Sequence, residues 1–178
     1  MNLKQLNQRV FITAMALAIG AGQALAQTPA PRRLAKARLS EATAAAKKWR
    51  ADATLIQIAG SRVADDGTQS LWKYGFFSTS AKTCLIVQLA ATTRTTETGG
   101  PLCASPALGN FIDSDKAIQI ARKHGLQRPN VTMVVSMVPG RRGPRPVWIV
   151  MEGGGMRAGD VSVDIDAETG EVLNTSIL

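Results

Sequence analysis

Two stretches of this chain, residues 34–90 and 113–178, follow one order: a helical pattern, then short strand patterns separated by turn signals. At an offset of 76, Leu71-Trp72 falls on Val147-Trp148, and Leu85, Val87 and Leu89 fall on Val161, Val163 and Ile165. Ala45 falls on Ala121, and Leu55 on Val131. Alternating apolar runs are common, so strands alone could coincide; a tryptophan pair and a helix in register point instead to an internal repeat. A helix with one apolar stripe and a sheet with one apolar face must cover each other. The expected fold class is α+β, with two repeated units, each one helix packed on an antiparallel β-sheet. Each unit alone is small for independent stability. Joining them through one sheet, or packing them face to face, would bury more.

Local patterns supply the elements. Over 34–50, Ala35, Leu39, Ala42, Ala46 and Trp49 fall at steps of three and four, one stripe of a helix. Strands are expected over 53–63, 69–78 and 82–90, with Asp65-Asp66-Gly67 as a turn. In the third of these, Leu85, Val87 and Leu89 share one face, and Cys84 points to the other. The Thr- and Gly-rich stretch 91–112, with Gly99-Gly100-Pro101, reads as a connecting loop. Asp113 or Ser114 can cap a second helix, which Gly125 closes. Strands follow over 131–138, 147–151, 160–166 and 171–177, with a basic turn at 139–146. Gly170 stands where the last turn needs a left-handed residue.

The N-terminus predicts export. Lys4 and Arg9 precede an apolar run over 10–22, and Ala24-Leu25-Ala26 has the small-x-small form of a cleavage site. Residues 1–26 therefore read as a signal peptide and 27–33, with Pro29 and Pro31, as a linker. The run is short for a spanning helix, which needs about 20 apolar residues. The expected location is the periplasm or the exterior. Cleavage would leave 152 residues and lower the formal charge from +8 to +6. That excess suits an acidic partner, an anionic protein, headgroup or glycan. Nucleic acid is the wrong partner for an exported chain, and aromatics at 4% give few surfaces for stacking bases. Cys84 and Cys103, the only cysteines, read as a disulfide in an oxidising compartment.

The second half resembles a PepSY domain. The residues that carry the resemblance are Asp115-Lys116-Ala117-Ile118-Gln119-Ile120-Ala121-Arg122-Lys123-His124-Gly125, the strand around Trp148, and the run from Val161 to Leu173 with its Asp166-Ala167-Glu168-Thr169-Gly170-Glu171-Val172-Leu173 ending. It covers about residues 113–175. In the first half the corresponding ending reads Ala90-Ala91-Thr92-Thr93-Arg94, so that half would be a degenerate second copy. The resemblance implies a PepSY/cystatin-like arrangement. It further implies a small extracytoplasmic module that inhibits or chaperones peptidases and is not itself an enzyme.

The residues offer little catalytic chemistry. No Gly-x-Ser-x-Gly elbow, His-Glu-x-x-His helix or phosphate loop occurs. His124, the one imidazole, reads as a helix C-terminal residue favourable to the dipole when charged. Asp164, Asp166 and Glu168 lie on one strand face and its turn, yet calcium needs six or more oxygens. Two cysteines and one histidine do not make a zinc site. No catalytic residue, metal or cofactor is therefore expected. The candidate partner contact is the arginine cluster Arg141, Arg142 and Arg145 in the basic turn. The expected role is a non-catalytic binding or regulatory module for an envelope protein, such as a peptidase inhibitor or chaperone. The alternative is a basic scaffold or stress protein associating with anionic envelope polymers or a membrane surface.

Overall fold

The structure, a computed structural model, describes residues 30–99, 103, 105–140, 143–153 and 157–177. The elements are α1 (Leu39–Trp49), β1 (Thr54–Val63), β2 (Trp72–Ser78), β3 (Thr83–Leu89) and β4 (Thr93–Thr98), then α2 (Ser114–Lys123), β5 (Val131–Val138), β6 (Arg145–Met151), β7 (Val161–Asp166) and β8 (Val172–Ile177). All eight strands form one antiparallel sheet in the order β4-β3-β2-β1-β5-β6-β7-β8. The two halves thus meet strand to strand, with Ile58 opposite Val135 and Ala59 opposite Val134. Each half supplies a helix and four strands, and the first strand of each lies at the seam.

Both helices contribute small side chains to the core. Ala42 and Ala46 of α1 are fully buried, and Leu39 and Trp49 pack beside them. The stripe read from the sequence is therefore the packed one, and its alanines let the helix lie close to β2 and β3. The helix itself is shorter than expected. Residues before Leu39 are committed elsewhere: the Ala35 N–H donates to Ser114 Oγ at 3.0 Å and the Lys36 N–H to Asp113 Oδ1 at 3.0 Å. In α2, Asp113 caps the start by accepting from the Ser114 N–H at 2.8 Å. Ala117, Ile118 and Ala121 are fully buried, and Gly125 leaves the helix at φ +106°.

The principal core lies between the helices and one sheet face. Trp148, Tyr74, Phe76, Ile58, Ile118 and Met133 are its largest fully buried members. Trp72 and Trp148 are both core residues. The Trp72 Nε1–H donates to the Arg33 carbonyl at 2.8 Å, and the Trp148 Nε1–H donates to the Ile112 carbonyl at 2.9 Å. Trp72 lies opposite Leu89, and Trp148 opposite Ile165. On β1, Gly60 makes room for the Trp72 ring, since a Cβ there would come within 2.6 Å of it.

The stretch 91–112 is not wholly a connection. Thr93–Thr98 forms β4, paired along β3 from Leu89↔Thr93 to Cys84↔Thr98. Threonine favours extended backbone. As an edge strand open to solvent it has no buried face, so it shows none of the alternation that marks the other strands. The first half therefore runs past residue 90. Two smaller shifts concern β2 and β6. Gln69, expected in a strand, instead exchanges backbone hydrogen bonds with Arg33 at 2.9 Å, and Arg145, expected in the basic turn, opens β6.

Cys84 and Cys103 are disulfide-bonded, with Cα atoms 5.6 Å apart. They sit with Ile56 and Phe77 in a second, smaller cluster on the sheet face away from the helices. That is the side to which strand alternation assigns Cys84. Closing a loop over a sequence separation of 19 stabilises a fold by about 3 kcal/mol in the chain-entropy model. Denaturant unfolding with and without reductant is expected to differ by about that amount, and a C84A/C103A double variant is expected to match the reduced protein.

Candidate functional site

The arginine cluster is only partly in view. Arg141 and Arg142 lie outside the described residues. Arg145 is half exposed at the start of β6, with its Nη1 3.9 Å from Asp166 Oδ2. Asp166 sits below the ordinary carboxylate range: burial alone would raise it, but the N–H groups of Thr169 and Glu168, the Thr169 side chain and the Arg145 charge together outweigh burial. Asp166 thus serves the turn that follows β7. Among the described residues, no group of three or more potential ligands is placed to hold a metal ion.

His124 is exposed at the C-cap of α2. It lines an open groove of about 490 Å³ with Gly125, Gln127, Arg128, Glu152, Gly159, Val161, Thr175 and Ile177. A histidine and a carboxylate on one groove would suggest acid–base chemistry. Here the carboxylate is committed. Glu152 is buried and accepts from the backbone N–H groups of Gln127 at 2.5 Å, Arg128 at 2.7 Å and Val161 at 3.2 Å. Burial pushes its pKa up, and these bonds, with the Arg128 charge, more than reverse the push and hold it ionised below its ordinary value. Glu152 therefore ties the segment after α2 to the β6–β7 hairpin. Its role was not legible in the sequence, because nothing local marks an isolated Glu as buried.

The groove reaches the end of β8, the last strand of the sheet, at Thr175 and Ile177. Among the described residues nothing pairs with the outer side of β8. The strand reads Val-Leu-Asn-Thr-Ser-Ile with no charge, and Ile177 is 76% exposed, the one large hydrophobic residue exposed among those described. The opposite edge differs. β4 carries Arg94 and Glu97, and the disulfide lies beside its end. Natural edges are usually blunted by charges, prolines or bulges. β4 has charges, and β8 has only a register shift opposite Asp164/Ile165.

This is an α+β protein with helices on one face of a single antiparallel sheet and one uncharged edge beside an open groove. Residues 112–175 match the family model of PepSY, described as "Peptidase propeptide and YPEB domain". The second half of the chain is thus similar to PepSY domains over these residues. No curated protein matches the chain. Among solved structures, the chain is similar to one from Clostridium difficile 630 described as a "putative lipoprotein", with a TM-score of 0.53 at 12% identity. The alignment covers 78% of this chain and 91% of the other. At that identity the likeness concerns the fold. Among the described residues, no helix is long and apolar enough to cross a membrane.

Proposed function

We propose that the chain is an exported, non-catalytic envelope module that docks on a peptidase and restrains or chaperones it. The observation that carries this reading is the PepSY match over residues 112–175, a family whose description names the peptidase propeptide. The contact surface in this reading is the β8 edge with its groove. An extended segment of the peptidase would add a strand to β8, main-chain hydrogen bonds giving affinity and Ile177 giving apolar contact. The leader-like pattern over residues 1–26 supports delivery to the envelope.

We also infer that the two halves descend from one duplicated unit. The shared order of a helix and four strands supports this, as do the equivalent hydrogen bonds of Trp72 and Trp148 to the chain entering their own helices.

The test is inhibition of co-resident envelope peptidases by the chain from Gln27 onward, which contains every described residue. Dose-dependent inhibition is expected, and it should weaken at least about tenfold in a T175K/I177K double variant, since lysine on an edge strand opposes strand addition. Both positions are exposed, so melting temperature should hardly change. No inhibition of any such peptidase, or inhibition indifferent to the double variant, would contradict the reading.

A further inference from the structure

A second groove, far from β8 in strand order, lies where β1 ends and β5 begins. It encloses about 860 Å³ and is lined by Arg32, Arg62 and Arg157 together with Ser61, Ser70, Thr132, Asn130, Gln69, Gly153 and Leu71. The three arginines come from the segment before α1, from β1 and from the β6–β7 hairpin. Among the described residues that line it, none is acidic. Lys73 lies on the adjoining hollow with Ser61, Leu71 and Thr132. None of these lining residues belongs to β8, the edge proposed above for docking.

Its backbone is unusual in three ways at once. Arg62 and Asn130, on opposite sides of the seam, have φ of +58° and +59°, left-handed values that non-glycine residues rarely adopt. Between Gly60 and Val63 the β1–β5 register shifts, and such bulges re-aim side chains. Held strain of this kind concentrates at functional sites.

One of these cations, Arg32, is also held from behind. The Arg32 Nη2 donates to the carbonyls of Arg62 at 3.1 Å and Thr68 at 2.9 Å, and its Nε donates to Thr68 Oγ1 at 3.3 Å. Its Nη1 has no partner among the described residues. Asp66, beside Thr68, accepts from the Thr68 N–H and hydroxyl and does not line the groove. The backbone of Arg157 is anchored by the fully buried Asp160, which accepts from the Arg157 N–H at 3.0 Å and from Arg128 Nη1 at 2.7 Å.

From this convergence we infer that the groove binds a polyol phosphate. Arginine forks match phosphate oxygens in charge and geometry. The hydroxyls of Ser61, Ser70 and Thr132 and the amide of Asn130 suit a hydroxylated carbon skeleton, and the volume falls within the ordinary range for small ligands. The same glycerol phosphate chemistry occurs in soluble polyol phosphates and in phospholipid headgroups, and the experiment separates them. This inference does not depend on the peptidase reading.

The chain from Gln27 onward is titrated calorimetrically with glycerol 3-phosphate and, separately, with phosphatidylglycerol vesicles, at low and high salt. Salt-sensitive binding is expected, weakened about tenfold in each of Arg62→Gly and Arg157→Gln, in keeping with loss of one charge-assisted contact. Arg62→Gly removes the cation and suits the left-handed backbone, so it should melt no lower than the parent and keep lost binding separate from lost folding. Binding to glycerol 3-phosphate without binding to vesicles assigns a soluble ligand, and binding to both assigns the glycerol phosphate group that the two share. Binding to vesicles alone, lost in both variants, assigns the headgroup. No response to either probe at millimolar concentration, or binding unchanged in both variants, overturns the inference.

Discussion

Trp148→Ala is expected to destabilise the protein by about 4 kcal/mol, near the top of the range for large-to-small core changes. Trp148 is fully buried in the middle of β6, opposite Val135 on one side and Ile165 on the other. Its ring stands edge-on to Phe111, with centroids 6.3 Å apart at 71°. Its Nε1–H satisfies the Ile112 carbonyl. One residue therefore joins the central sheet to the segment that leads into α2. Removal leaves a cavity and an unpaired carbonyl together. Trp148→Phe keeps much of the bulk and loses the bond, so it should cost less, about 1–3 kcal/mol for the stranded acceptor and the smaller ring. Urea unfolding of both variants checks the order. Equal losses, or a Trp148→Ala loss under about 1 kcal/mol, would mean that the ring is not the packed centre.

Gly67→Ala is expected to cost about 3–4 kcal/mol, although it adds a single methyl. Gly67 has φ +78°, and the methyl would lie 2.5 Å from the Cα and N of Asp115. Backbone cannot step aside as a side-chain tip can. The left-handed conformation costs an L-residue about 1–2 kcal/mol, and forced overpacking about 1–3 more. The position matters because here the Asp65-Asp66-Gly67 turn of the first half meets the N-terminus of α2 in the second. Ser114, fully buried, accepts from the Ala35 N–H and donates to the Gly67 carbonyl at 2.8 Å. Arg122 of α2 pairs with Asp65. Gly159→Ala is the matched control: its φ is +85°, with nothing among the described residues within 4 Å of the added methyl. It should show the backbone cost alone, about 1 kcal/mol. Thermal or urea unfolding of the pair separates the two contributions, and equal losses would show that the turn does not press against α2.

What the sequence disclosed follows from where each strand lies. In β3 and β7 one face is buried, so Leu85, Val87 and Leu89, and likewise Val163 and Ile165, declared themselves by alternation. The same alternation placed Cys84 on the far side with Cys103. β4 was hidden because neither of its faces is buried. The seam between β1 and β5 was also hidden. β1 is paired on both sides and bent by two register shifts, so its burial follows no clean period. The phosphate groove inherits that obscurity: Arg32, Arg62 and Arg157 are remote in sequence, and only the seam gathers them. The cluster at Arg141, Arg142 and Arg145, by contrast, was conspicuous because its members are sequence neighbours. Proximity in sequence says nothing about what else shares a surface.

The central claim is that the second half, which matches the PepSY model, engages a peptidase through β8. A photoreactive residue placed at position 177, and separately at position 97 on the opposite edge, tests it most directly in living cells. The account predicts that position 177 crosslinks to an extracytoplasmic peptidase, that the link fades in a background carrying Thr175→Lys, and that position 97 does not form it. Labelling of the same peptidase from both edges, or of no peptidase from position 177, would contradict it.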